Sequence, residues 1–320
     1  MREIPDARLA DCTTLHLGGP ADRFAIAESE DELIALVDEA DQAKTPVLVV
    51  GGGSNLVVGD AGFAGTVVQI GYAQAWDDFV AGSVANNLAG VEALSGIPGT
   101  QLATAIQNVG AYGQEVSQTI ASVRVWDRLM RGQRTFAAKE CVFGYRTSRF
   151  KQDPARHVVL EVKFDLEPSE SSKPIQYDEL AKVLGVAVGE RAPLNDVREA
   201  VLTLRRGKGM VLDPHDHDTW SAGSFFTNPV IDASQVPEGA PSYPESGGHT
   251  KTSAAWLIEH AGFPKGYGNE FVSLSTKHTL ALTNRGEGST MELLRLAAEI
   301  VDGVDDKFGI VLQFEPVIVG

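Results

Sequence analysis

Cysteine is scarce in this chain: Cys12 and Cys141 are the only two in 320 residues. That excludes a disulfide framework and a thiolate metal cluster, and it suits a reducing compartment. Basic residues are short as well, 27 Lys and Arg against 43 Asp and Glu, for a net charge of −16. A surface of that sign opposes nucleic acid, whose binding rests on neutralised phosphates, and opposes an anionic membrane. No stretch approaches the roughly 20 apolar residues of a membrane span, and Met1 to Asp11 lacks the apolar core of a signal peptide. A cytoplasmic protein is expected, with neither nucleic acid nor membrane as partner. Also absent are G-x-G-x-x-G and G-x-x-x-x-G-K-S/T, which sets aside a doubly wound nicotinamide-dinucleotide fold and a P-loop.

Glycine is present in quantity, and it is gathered. Gly51-Gly52-Gly53-Ser54-Asn55 follows the apolar run Pro46-Val47-Leu48-Val49-Val50. A buried strand that opens into successive backbone N–H groups makes an anion nest. Ser95-Gly96-Ile97-Pro98-Gly99-Thr100 runs on through Gln107-Asn108-Val109-Gly110-Ala111-Tyr112-Gly113, with four glycines in nineteen residues and almost no charge. Glycine lets a backbone approach a ligand closely and take up positive φ. Two such loops predict a nucleotide-type cofactor carrying a diphosphate.

Local signals place the elements. Ser29 and Glu32 form a capping box, and Leu33, Leu36, Val37 and Ala40 follow at helical spacing to an end near Lys44, ahead of Pro46. Strands are predicted at 47–50, 67–70, 121–127 and 157–165, and as one alternating run over 271–284. Helices are predicted at 76–88, 195–206, 251–261 and 289–307, and a loop at 166–176. Arg205 and Arg206 fall in the last turn of the third-last helix, where cations suit the dipole. After Gly209 the texture shifts to Gly, His, Asp, Ser and Pro, so a domain boundary is placed near 208.

Several clusters are candidates for chemistry. Phe143-Gly144-Tyr145-Arg146-Thr147-Ser148-Arg149-Phe150-Lys151 sets three cations among aromatics. It reads as a carboxylate- or phosphate-binding arginine site or, more plainly, as a solvated basic loop. Ser221-Ala222-Gly223-Ser224-Phe225-Phe226-Thr227-Asn228-Pro229 puts Ser224 beside two bulky aromatics, as a proton donor in a dry pocket or as a turn former. Asp213-Pro214-His215-Asp216-His217-Asp218 matches no standard metal spacing, and a polar surface turn is the expectation. Glu315 is a carboxylate among apolar neighbours; buried, it must pair with a cation or act chemically, and exposed it is a salt-bridge residue. Lys208 is a phosphate contact or a helix terminus.

Taken together and in order, Thr14–Ala21, Gly51–Asn55, Gly96–Gly113, Phe143–Lys151, Ser221–Pro229, Lys277–Asn284 and Phe314-Glu315-Pro316 resemble the bacterial UDP-N-acetylenolpyruvoylglucosamine reductases of peptidoglycan synthesis. The resemblance implies an α+β chain with a vanillyl-alcohol-oxidase-type FAD-binding half at 1–208, of two α+β subdomains at about 1–70 and 71–208. A smaller α/β substrate-binding domain at 209–320 would follow, carrying the C-terminal catalytic glutamate. It implies FAD and NADPH as cofactors, no metal, and a monomer that reduces the enolpyruvyl ether of a UDP sugar to a lactyl ether. Arg146, Ser224 and Glu315 match the family's catalytic positions: enolate stabilisation, proton donation and carboxylate orientation. Gly51, Gly52, Gly53, Ser54, Asn55, Gly96, Pro98, Gly99, Thr100, Gln107, Asn108, Gly110 and Ala111 fall in the FAD-binding loops. Tyr112, Tyr177, Lys208 and Asn228 match positions that hold the diphosphate and sugar. The chain departs from the family pattern at Leu102, where a glycine is expected, at Ala105 in place of a proline, and in a short junction between Ile70 and Gly71. A flavin-dependent sugar or alcohol oxidase of the same fold, or a catalytically impaired nucleotide-sugar binder, are the alternatives.

Overall fold

The structure, a computed structural model, describes residues 1–320, with Ser246 described by its backbone alone. It divides into two compact units. The first is Met1–Ala7, Ala21–Gly52 and Ala64–Gly207; the second is Arg8–Pro20, Gly53–Phe63 and Lys208–Gly320. Helices and strands are mixed without strict alternation in both, an α+β architecture.

In the first unit, Arg2–Glu3, Ala21–Ala27, Phe63–Ile70 and Val47–Val50 form a four-stranded sheet in that order. Val47–Val50 runs parallel to Phe63–Ile70, with Val50 opposite Gln69. The helix Glu30–Gln42 covers this sheet. Ser29 caps it, its hydroxyl accepting the Glu32 N–H at 3.3 Å, and Leu33, Leu36, Val37 and Ala40 pack on Ala25, Ala27 and Val68. Burying each leucine there contributes about 1.5–3 kcal/mol. A second, antiparallel sheet has Ile120–Asp127 between Gly132–Ala137 and His157–Phe164. The helices Trp76–Ala85 and Gln101–Gln107 share its apolar cluster. A third cluster joins Asp178–Leu184 to Leu194–Gly207. The junction after Ile70 is direct: Gly71 donates to Ala27 O at 2.8 Å and five residues later Trp76–Ala85 begins.

In the second unit Val317–Val319 lies parallel to Leu56–Val58, and Val230–Asp232, His249–Thr252 and Ser242–Pro244 form a small antiparallel sheet. Ala254–His260 and Thr290–Phe308 enclose a core of Leu15, Leu17, Val57, Phe225, Phe226 and Leu293. No helix among the described residues is long and apolar enough to cross a membrane.

Three expectations are corrected. The run 271–284 is a hairpin, Val272–Leu274 against Leu282–Asn284, because Asp218 holds Thr276 by its N–H (2.9 Å) and hydroxyl (2.5 Å) and turns the chain between the strands. The segment after Gly99 is not all loop, since Gln101–Gln107 is helical with Leu102 and Ala105 buried in the core. The Leu102 side chain, at a position where the resemblance implies a glycine, is therefore absorbed by apolar packing. The helix expected over 76–88 stops at Ala85, because Asn87 takes φ +54° and Leu88–Ala89 pairs with Glu167–Pro168 inside the expected 166–176 loop.

Candidate active site

The first glycine loop is held against the second. A Cβ on Gly51 would stand 2.9 Å from Thr100 Oγ1, and one on Gly52 would stand 2.7 Å from Gly99 Cα. No side chain fits at Gly52, where the neighbour is backbone, and one at Gly51 would force the Thr100 hydroxyl to shift. Thr100 Oγ1 and Gln101 Oε1 are buried there with no hydrogen-bond partner in the protein. A buried polar atom left unpaired is costly, and a phosphate group of a bound dinucleotide would relieve the Thr100 hydroxyl. These residues fit an FAD diphosphate.

Two residues of the helix Trp76–Ala85 clamp this loop. Trp76 donates its N–H to Gly99 O and its indole N–H to Leu94 O, both at 3.0 Å. Asp77 accepts the Gly96 N–H at 2.6 Å and both Arg198 nitrogens at 2.6 and 2.8 Å. Burial alone raises the Asp77 carboxyl, and the Arg198 pair with the Gly96 N–H outweighs it, so the group is held below the usual carboxylate range. Pro98 is half-buried in this clamped turn. Nothing local in the sequence marks Asp77, because its partners are 19 and 121 residues away.

Glu92 was missed for the same reason. It is fully buried, and its carboxylate accepts from Gly90 N–H (2.6 Å), Gln114 Nε2 (2.9 Å) and Lys173 N–H (2.9 Å). Through Gln114 it anchors the tight hairpin Gly110-Ala111 against Gln114-Glu115. Arg205, read from sequence as a dipole partner at the helix end, is buried, and burial pushes its guanidinium down to about 10, still cationic at neutral pH.

Asn108, Tyr112 and Arg146 all take positive φ, at +49°, +49° and +53°. Such strain in residues other than glycine gathers at functional sites and persists where surroundings enforce it. The Arg146 guanidinium donates from Nη2 to Gly110 O at 2.7 Å and lies 5.6 Å from the Tyr145 ring centre. The Asn108 side chain is buried and bonded to Gly144 O, Glu115 and Ser117. Gln107 accepts from Lys151 Nζ at 2.9 Å. Tyr112 and Tyr177 meet edge to face, 5.6 Å apart. Burial pushes the Tyr112 phenol up to about 12, with Arg205 opposing, so it stays protonated and able to donate.

In the second unit Gly53 has φ +59°, and a Cβ there would fall 1.9 Å from Cys12 O. Ser54 follows it, and Asn55 O accepts the Val317 N–H at 3.0 Å. The Ser224 loop is built from three sides. Thr14 Oγ1 donates to Ser221 O at 2.6 Å, Ser221 Oγ accepts the Gly223 N–H at 3.2 Å, and Phe225 donates to Leu280 O at 2.7 Å. Phe225–Thr227 then pairs with the C-terminal segment: Glu315 N–H to Phe225 O at 2.9 Å, Phe226 opposite Phe314, Thr227 N–H to Gln313 O at 3.0 Å. The structure thus brings Ser224 and Glu315 together, while Arg146 belongs to the first unit. Asn228 Oδ1 caps the helix Ala254–His260 by accepting the Ala254 N–H at 3.0 Å. Lys208 is half-buried. The acidic carboxylates at 216 and 218 are bonded to Lys277, Thr276 and Arg285, and no group able to hold a metal occurs among the described residues.

The family profile for the UDP-N-acetylenolpyruvoylglucosamine reductase C-terminal domain matches residues 213–319, and a profile for an FAD binding domain matches residues 21–81. The chain is 53% identical to the UDP-N-acetylenolpyruvoylglucosamine reductase of Streptomyces avermitilis, covering 100% of this chain and 96% of the relative. It is 54% identical to that of Thermobifida fusca, covering 100% and 98%. The first alignment runs over 348 positions against 320 residues here, so the relative carries positions with no counterpart in this chain. The crystal structure of the Thermus caldophilus UDP-N-acetylenolpyruvylglucosamine reductase shares the fold, with a TM-score of 0.69 over 100% of both chains at 23% identity. On full-length identity to the curated relatives, the chain belongs to the UDP-N-acetylenolpyruvoylglucosamine reductase family.

Proposed function

We propose that this chain reduces UDP-N-acetylglucosamine enolpyruvate to UDP-N-acetylmuramate with FAD and NADPH, a step of peptidoglycan precursor synthesis, and that Arg146, Ser224 and Glu315 carry the reaction. The observation that supports these roles best is the ladder that seats Glu315 beside the Ser224 loop, in a chain whose full length matches the reductases. When bound, FAD supplies to the vinyl terminus of the enolpyruvyl group the hydride it has taken from NADPH.

The chain's residues handle the charge that follows. Hydride addition at the vinyl terminus leaves negative charge on the neighbouring carbon, delocalised into the carboxylate. The Arg146 guanidinium stabilises that enolate, and preorganised charge is worth more in a site that excludes water. Glu315 orients the carboxylate group. The Ser224 hydroxyl gives its proton to the carbon, which completes the lactyl ether. Serine is a weak acid, so the step needs a close, dry and fixed hydroxyl; the three anchors of the loop and the buried Phe225 and Phe226 that follow it support the last of these. The glycine loops at 51–55 and 96–111 hold the FAD diphosphate and ring. Tyr112, Tyr177, Lys208 and Asn228 hold the substrate's diphosphate and sugar. The same reading has the enzyme working as a cytoplasmic monomer, and the charge of −16 supports a surface that avoids nucleic acid and anionic lipid.

The test is product analysis. Purified protein given NADPH and the enolpyruvyl UDP sugar should yield a product two hydrogens heavier, and none without NADPH. NADPH-independent oxygen consumption on a sugar or alcohol would instead support an oxidase.

A further inference from the structure

We propose that Asn108 is a positioning residue for Arg146, acting through the turn that carries it; the proposal rests on the role given to Arg146 above. Arg146 is the second central residue of the turn Gly144-Tyr145-Arg146-Thr147. The turn is closed by Gly144 N–H to Thr147 O at 3.0 Å and Thr147 N–H to Gly144 O at 3.2 Å. At φ +53° the Arg146 backbone is in a region that persists only where its surroundings enforce it.

Asn108 supplies that enforcement. It is 1% exposed, and its Nδ2 donates to Gly144 O at 3.0 Å and Glu115 Oε2 at 2.9 Å, while Oδ1 accepts the Ser117 N–H at 3.1 Å. Both amide hydrogens are engaged within the protein. The Gly144 carbonyl therefore accepts from Thr147 and from Asn108, which pins the first residue of the turn. Two residues further on, Gly110 O takes the Arg146 Nη2 at 2.7 Å, and a Cβ on Gly110 would stand 3.1 Å from Nη1. The short segment 108–110 thus fixes Arg146 at its backbone and at its guanidinium. Asparagine suits the place, since it accepts the left-handed conformation found there, φ +49°. A guanidinium that meets a carboxylate through two parallel bonds tolerates little rotation, and a displacement of about 1 Å can cost about a hundredfold in rate.

The test uses the FAD-loaded enzyme with Asn108→Gly, which keeps the left-handed backbone and deletes the clamp. Flavin content, thermal midpoint and the two half-reactions are measured separately under anaerobic conditions. In variant enzyme saturated with FAD, reoxidation by the enolpyruvyl UDP sugar should slow by roughly 10- to 100-fold, beyond any change in flavin content or in bleaching by NADPH that follows from the place of Asn108 in the FAD-binding loop. Asn108→Gly combined with Arg146→Ala should be no slower than Arg146→Ala alone, because coupled residues are not additive. Parental reoxidation in Asn108→Gly beside a slow Arg146→Ala, or full additivity in the pair, overturns the positioning role. A fast Arg146→Ala overturns the role of Arg146 itself, and this proposal with it. Should Asn108→Gly lose flavin, Asn108→Asp, which keeps the acceptor to Ser117 but not the donor to Gly144, replaces it. Flavin loss in both, with parental reoxidation in the flavin-loaded fraction, leaves Asn108 to the cofactor alone and overturns the proposal.

Discussion

The Glu315 N–H donates to Phe225 O at 2.9 Å, so the C-terminal segment is tied to the residue that follows Ser224. Ser224→Ala should then separate proton delivery from hydride chemistry. Bleaching by NADPH is expected to be unchanged, while turnover of the enolpyruvyl substrate falls by about a hundredfold or more. Stopped-flow absorbance reads both. Equal turnover in the variant would remove Ser224 from the reaction.

Asp77 joins Arg198 to the Gly96 N–H. Asp77→Ala frees the Gly96 turn and leaves a half-buried guanidinium unpaired, so FAD affinity should fall roughly tenfold, about 1.4 kcal/mol. Fluorescence titration of apo-protein with FAD measures this. Unaltered affinity would mean that the loop is held without the clamp.

Asp60 caps the long helix Thr290–Phe308, accepting the Thr290 N–H at 2.8 Å and the Met291 N–H at 3.0 Å. Replacing it with Ala should lower stability by about 1 kcal/mol. Denaturant unfolding that returns the parental midpoint would show that the Ser289–Glu292 capping box suffices.

His157 lies among Phe136, Phe150 and Asp127, with both ring nitrogens buried and without hydrogen-bond partners. Burial lowers its pKa from the ordinary value of 6.5, with the Asp127 carboxylate at 3.8 Å opposing. The unfolded chain therefore binds the proton more readily. The stability this group contributes is full above the ordinary histidine range and is lost as pH falls from there through the folded value. His157→Leu should remove that acid-side loss, so the thermal midpoint of the variant gains on the parent between pH 7 and pH 5. An equal difference at both pH values would contradict this.

What was legible in the sequence was local. The helix Glu30–Gln42 follows from a cap and an apolar stripe within one window, and the strand Val47–Val50 from an apolar run ending in glycines. The helix Gln101–Gln107 was hidden because it sits among glycines and uncharged polar residues, and because its apolar face is only Leu102 and Ala105 with a few neighbours. The break in 271–284 is held by local bonds, with Ser275 Oγ accepting the Lys277 and His278 N–H groups, and by Asp218, 58 residues before Thr276 and outside any window around the strand. Residues 8–20 and 53–63 join the second unit because Leu15, Leu17 and Val57 pack with Phe225, Phe226 and Leu293, a tertiary choice with no local mark. In the site, the residue types were readable, whereas the groups that hold them, Asp77, Glu92 and Thr14, were not, since each works through a distant partner.

The most direct test of the central claim is the visible spectrum of the purified protein under anaerobic conditions, before and after NADPH and then after the enolpyruvyl UDP sugar. An oxidised-flavin spectrum that bleaches with NADPH and returns with the sugar is the predicted result. A protein that takes up no flavin when incubated with FAD, or whose bleached flavin does not recover with the sugar, would contradict it.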